Sequence, residues 1–88
     1  MEAEKLARIL DTNRVIVVGE TLSVLGVPED FAEEVWKLID LIVPSENCLG
    51  YAVVNGETIV FQKGARKIIA FIDEDRVMGA LRRLSGND

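Results

Sequence analysis

PEDFAEEVWKLIDLIV, residues 28–43, is the stretch whose reading decides the fold. Wound at about 100° per residue, it sorts into two faces. Phe31, Val35, Leu38, Ile39 and Ile42 share one side, and Ala32, Trp36 and Val43 carry that surface further round. Glu29, Asp30, Glu33, Glu34, Lys37 and Asp40 take the other side, with Leu41 alone among them. The apolar arc covers about 160°, where a helix lying on one core needs roughly 100°. The surplus half, Ala32, Trp36, Ile39 and Val43, calls for a second partner. A chain of 88 residues has little left to supply one. The role therefore falls to another copy of the same chain. Pro28 suits the first helical position, Glu29 and Asp30 suit the positive end of the helix dipole, and Pro44-Ser45 stops the helix.

Working outward toward the N-terminus, RVIVV (14–18) is apolar on both alternating sets and reads as a strand covered on both faces. Gly19-Glu20 predicts a two-residue turn with the glycine at positive φ. TLSVL (21–25) returns as its partner, with Leu22 and Val24 on one side and Thr21 and Ser23 on the other, as near a sheet edge. Residues 2–10 form a helix with Ala3, Leu6, Ala7 and Leu10 on one face, ended by Asp11-Thr12-Asn13.

Toward the C-terminus, Asn55-Gly56 stands between two strand-like runs, 49–54 and 57–62. That pair favours a type I′ turn, and the turn sets the register. Val54 faces Glu57, Val53 faces Thr58, Ala52 faces Ile59, Tyr51 faces Val60 and Gly50 faces Phe61. RKIIAFI (66–72) is the last strand, apolar on both faces in its second half. Asp73 is the expected N-cap of a final helix with Val77, Met78, Ala80, Leu81 and Leu84 on its apolar face. Gly79 costs about 1 kcal/mol within a helix, so close packing against a strand is the expected reason for it. Residues 85–88 read as a frayed tail.

The fold class is α/β (α+β), with element order α-β-β-α-β-β-β-α and a five-stranded, mainly antiparallel sheet. Doubly apolar strands require helices on both faces. The middle helix covers one face and the two terminal helices the other. Strand 66–72 is central, beside 14–18, and 49–54 is an edge. That edge has no proline and no lysine, and lacks the usual protection against pairing. Two copies about a two-fold axis satisfy edge and helix together. The expected interface is Ala32, Trp36, Ile39 and Val43 with Tyr51 and Val53.

Composition narrows the function. The chain is 49% apolar, which suits one globular domain over residues 1–88. A net charge of −5 argues against nucleic acid and anionic membrane surfaces. No apolar run approaches the ~20 residues of a membrane span, and the N-terminus has no signal-peptide core. One cysteine allows no internal disulfide, which fits the cytoplasm. Histidine is absent, which removes the commonest general base and metal ligand.

Candidate chemistry is sparse. Asp73-Glu74-Asp75 reads as a helix cap rather than a metal cluster, since the spaced ligands of an EF-hand are missing. Lys63, Gly64, Arg66 and Lys67 do not form a P-loop and read as a solvated turn. Cys48 has no activating neighbour and reads as a partly buried bystander. Glu33, Glu34 and Asp40 read as a solvated helix face. Trp36 reads as an interface residue. No enzymatic activity, cofactor or metal is expected.

The pattern of residues 49–84 resembles a roadblock/dynein light chain domain, whose architecture is profilin-like. The likeness lies in the edge strand, the turn at Asn55-Gly56, TIVFQK, a second turn at Gly64, KIIAFID, and a helix carrying Gly79. RVIVVGETLSVLG matches the first hairpin, although the family often has Asp-Gly where this chain has Gly-Glu. The first helix is shorter than usual there. The resemblance implies a homodimer, or a pairing with a paralogue, acting as a scaffold or regulator for a small Ras-like GTPase. Three alternatives stand. One is a regulatory domain binding a small effector at a dimer seam, although ACT-like domains finish on a strand. Another is a small enzyme using carboxylates and Arg/Lys. The third is a subunit that only scaffolds a larger complex.

Overall fold

The computed structural model describes residues 2–86. Helix α1 (Glu2–Leu10) leads into strands β1 (Val15–Val18) and β2 (Leu22–Leu25), then helix α2 (Glu29–Ile42). Strands β3 (Cys48–Val54), β4 (Glu57–Lys63) and β5 (Lys67–Phe71) follow, and a 3-10 turn, Glu74–Arg76, opens helix α3 (Val77–Gly86). The strands form one antiparallel sheet in the order β2-β1-β5-β4-β3. The expected element order, fold class and central last strand are all present.

Each face of the sheet has its own helix cover. Val15, Val17, Val60, Ile68 and Ala70 pack with Ala3, Leu6, Ala7 and Leu10 of α1 and with Val77, Ala80 and Leu84 of α3. Ile16, Ile59, Phe61, Ile69 and Phe71 pack with Ala32, Val35 and Ile39 of α2. Period-two alternation in the strands therefore divides the apolar side chains between two cores. The β3–β4 register is the one the Asn-Gly turn demands, from Val54 opposite Glu57 to Gly50 opposite Phe61. Asn55 and Gly56 both have positive φ, 52° and 78°, as a type I′ turn requires.

Several local expectations are corrected. The first hairpin has three residues between its strands, because Val18 pairs with Leu22. Gly19 donates its N–H to Thr21 O at 3.1 Å and, among the described residues, is not one of the positive-φ glycines. Pro28 is the N-cap rather than the first helical residue, and its carbonyl accepts the Ala32 N–H. The Asp73 side chain makes no capping bond; its carbonyl accepts the Arg76 N–H and closes the 3-10 turn instead. Ser85 and Gly86 belong to α3 rather than to a frayed tail, and Asn87 and Asp88 lie outside the described residues. Met78 is exposed, not part of the buried face of α3.

Gly79 also departs from expectation. A Cβ built on it meets nothing within 4 Å, and the position is exposed. No strand approaches it, so its helix cost is uncompensated. Gly79→Ala is expected to stabilise the fold by about 1 kcal/mol, read from the midpoint of urea unfolding.

Candidate functional site

Strand β3 forms one edge of the sheet, with β4 as its sole neighbour in the strand order. All seven of its residues, CLGYAVV, pair with β4, so the strand is straight and unbulged. None of them is charged. Its outer backbone groups face no strand, which makes the edge a template for pairing. The two faces differ. Cys48 and Ala52 pack beneath α2. On the α3 side Tyr51 and Val53 are 62% and 67% exposed, with Leu49 and Met78 exposed as well. The ring of Phe61 fills the space over Gly50, where a Cβ would lie 2.9 Å from its Cζ. Tyr51 and Val53 thus stand where the sequence placed them, on an open edge.

The helix half of the expected interface is placed differently. Ala32 and Ile39 are 0% and 1% exposed within the chain's own core. Side chains so buried have nothing left to offer a second copy. Trp36 and Val43 are half-buried against the same core. Lys67 Nζ lies 4.0 Å from the Trp36 ring centroid, a cation–π contact inside the fold. The unspent apolar surface of α2 is instead Leu38, Leu41 and Ile42, all exposed.

The basic turn is also corrected. Lys63 is buried, and its Nζ donates to Val43 O at 2.6 Å and to Asp40 Oδ1 at 3.0 Å. With Lys67 on Trp36, two of the four residues are committed to the fold rather than solvated. Glu33, Glu34 and Asp73 to Asp75 are exposed, and Cys48 is half-buried with a free thiol. Among the described residues no three His, Cys, Asp or Glu side chains gather to hold a metal ion.

Sequence reasoning missed a cleft of about 1080 Å³ where the α1–β1 loop, the β3–β4 turn and the segment after β5 converge. Arg14 crosses it. Its Nη2 donates to Glu57 Oε1 at 2.6 Å and its Nη1 to Oε2 at 3.1 Å, while its guanidinium lies 4.3 Å from the Phe71 ring centroid. On the same side, Arg76 donates to the carbonyls of Leu10 and Asp11, closing the end of α1. The Arg14–Glu57 pair lies 43 residues apart in sequence, so no local spacing announces it.

The hydrogen bond from Arg14, and secondarily its charge, hold the Glu57 carboxyl below its ordinary 4.5. A lowered carboxyl pKa adds stability above its unfolded-state value, which is lost as pH falls through the folded-state value. Arg14→Gln is therefore expected to lower the urea midpoint at pH 7 more than at pH 3. Equal losses at both would mean that the ion pair contributes nothing.

A comparison with curated proteins places the chain beside an uncharacterized protein of Archaeoglobus fulgidus. The two are 34% identical over 85 residues, spanning 96% of this chain and 92% of the relative. The two proteins belong to one family. No family model and no solved structure matches the chain. Among the described residues no helix is long and apolar enough to cross a membrane.

Proposed function

We propose that the chain is a non-enzymatic, self-associating interaction module of roadblock type, acting in the cytoplasm. Its dimer presents a composite surface to a small Ras-like GTPase. The observation that carries the reading is the bare β3 edge, seven uncharged residues long, with Tyr51 and Val53 standing exposed on it. Natural edges are normally blunted by lysine, proline or a bulge, and this one has none of them. Antiparallel pairing about Tyr51 sets Leu49 of one protomer against Val53 of the other and joins two five-stranded sheets. An interface of standard size, about 1,600 Å² in total, would suffice for a stable dimer. The element order is the one that the roadblock likeness implies.

The test is sedimentation velocity. The wild type is expected to run as a dimer, and Val53→Lys as a folded monomer, since that side chain is exposed. A wild type monomeric at high concentration sinks the proposal. The GTPase half is tested by titrating a purified Ras-like GTPase of the same organism in its GDP and GTP-analogue forms; no binding in either form removes it. The cleft beside Arg14 favours a second reading, a regulatory domain that senses a small effector. Ligand-dependent thermal shifts with amino acids or nucleotides support that reading.

A further inference from the structure

The cleft beside Arg14 contains a flat plate of charged groups. Both Nη atoms of Arg14 donate to the Glu57 carboxylate, at 2.6 and 3.1 Å, and a guanidinium and a carboxylate forked together in this way lie near one plane. The guanidinium carbon sits 4.3 Å from the Phe71 ring centroid. Phe71 is buried, while the Arg14 side chain is 37% exposed, so the surface Arg14 shows is the one turned away from the ring. Arg14 lines the cleft with that surface. Guanidinium planes stack on flat rings, and here one face is filled by Phe71 and the other is open.

Charge selects what can lie on the open face. A cation there would be set against Arg14. An anion would meet an excess of carboxylates in the lining, five against three guanidinium groups. An uncharged planar ring suffers neither repulsion. Asp73, which lines the same cleft, adds a hydrogen-bonding demand. Ile72 packs into the opposite core from Phe71, so alternation returns Asp73 to the Phe71 side, about 7 Å further along the extended chain. Its side chain is exposed and makes no capping bond. An ionised carboxylate only accepts hydrogen bonds, so the ring must donate them. Guanine offers two adjacent donors, its ring N–H and its amine, which match the two oxygens of a carboxylate. Adenine sets a ring acceptor beside its amine instead. Taking the cleft as an effector site, a reading on which the assignment rests, we propose that it binds the guanine base of a nucleoside, stacked on Arg14 with its donor edge on Asp73.

The probe is guanosine, titrated into the isotope-labelled full chain while the backbone amide signals are followed by NMR. The amides of Glu57 and Asp73 are expected to move, with half-saturation at about 1 mM or below. Adenosine is expected to bind about tenfold more weakly, because it cannot satisfy the carboxylate. GTP is expected to bind more weakly than guanosine, because its triphosphate meets the excess of carboxylates. Arg14→Lys keeps the charge and removes the plane, and is expected to abolish binding. Asp73→Asn is expected to erase the preference for guanosine over adenosine with an unchanged unfolding curve, so the assignment stays open to refutation even if the Arg14 variant fails to fold. Absence of shifts with guanosine, shifts confined to other surfaces, equal binding of the two nucleosides, tighter binding of GTP, or a folded Arg14→Lys that still binds overturns the assignment. An amino acid that moves the Glu57 and Asp73 amides where guanosine does not also overturns it, but leaves effector sensing standing. If no amino acid, nucleoside or nucleotide moves them, both fall together.

Discussion

Gly26→Ala is expected to destabilise the protein by roughly 2–5 kcal/mol. Two effects add. Gly26 has φ +70°, a left-handed conformation that costs an L side chain about 1–2 kcal/mol. Its Cβ would also run into the carbonyl oxygen of Asn13, with Arg14 Cγ at 3.2 Å. That backbone has little room to yield. Thr12 Oγ1 donates to Phe71 O at 2.6 Å, and Phe71 N–H donates to Arg14 O at 3.1 Å, so the segment is bound to β5 on both sides of Asn13. Overpacking of this kind costs typically 1–3 kcal/mol. A domain of this length has only roughly 4–13 kcal/mol in all. Gly56→Ala is the control: its φ is also positive, at 78°, but a Cβ there meets nothing within 4 Å. Only the conformational part, about 1–2 kcal/mol, is expected. Urea unfolding followed by circular dichroism measures both. Equal losses at the two glycines would mean that the Asn13 contact carries no energy.

Gly26 shows where a sequence runs out. Its role depends on a carbonyl thirteen positions earlier, across a strand pair. Features set by local geometry were legible. Asn55-Gly56 dictates a turn, the turn dictates the register, and every expected β3–β4 pair is found. The buried face of α1 follows from 3.6-residue spacing, and the two-faced strands correctly required helices on both sides. Periodicity says which residues share a face but not which neighbour covers them. The α2 arc was therefore split at the wrong place: Ala32 and Ile39 serve the core, and Leu38, Leu41 and Ile42 are left over. The exposure of Tyr51 and Val53 on an edge strand was legible because an unprotected edge is a property of one strand. Met78 and Gly79 were misread because each was assigned a contact with no element placed to make it. The cleft was invisible, being lined from segments far apart in sequence.

The second large effect concerns a helix end. Helix α2 stops with no basic residue in its last turn and with Pro44 following the Val43 cap. Its final carbonyls need a donor from elsewhere. Lys63, at the end of β4, supplies one by reaching Val43 O at 2.6 Å. Arg83 does the same for α1, donating to Ile9 O at 2.9 Å, so two helix ends in this small fold are capped by distant basic side chains. Lys63→Met keeps most of the buried stem but removes the ammonium. The loss is expected to be about 2–3 kcal/mol, from an unsatisfied carbonyl and a charge-assisted bond to it. Asp40 separates the two bonds of Lys63. Its side chain is 57% exposed, so water replaces the lost partner and Asp40→Asn is expected to cost at most about 1 kcal/mol. If the ion pair rather than the carbonyl were what matters, the two variants would lose equal amounts. Amide hydrogen exchange localises the effect: Lys63→Met is expected to speed exchange in the last turn of α2, beginning with the Val43 N–H that bonds Ile39 O, and to leave α1 protected.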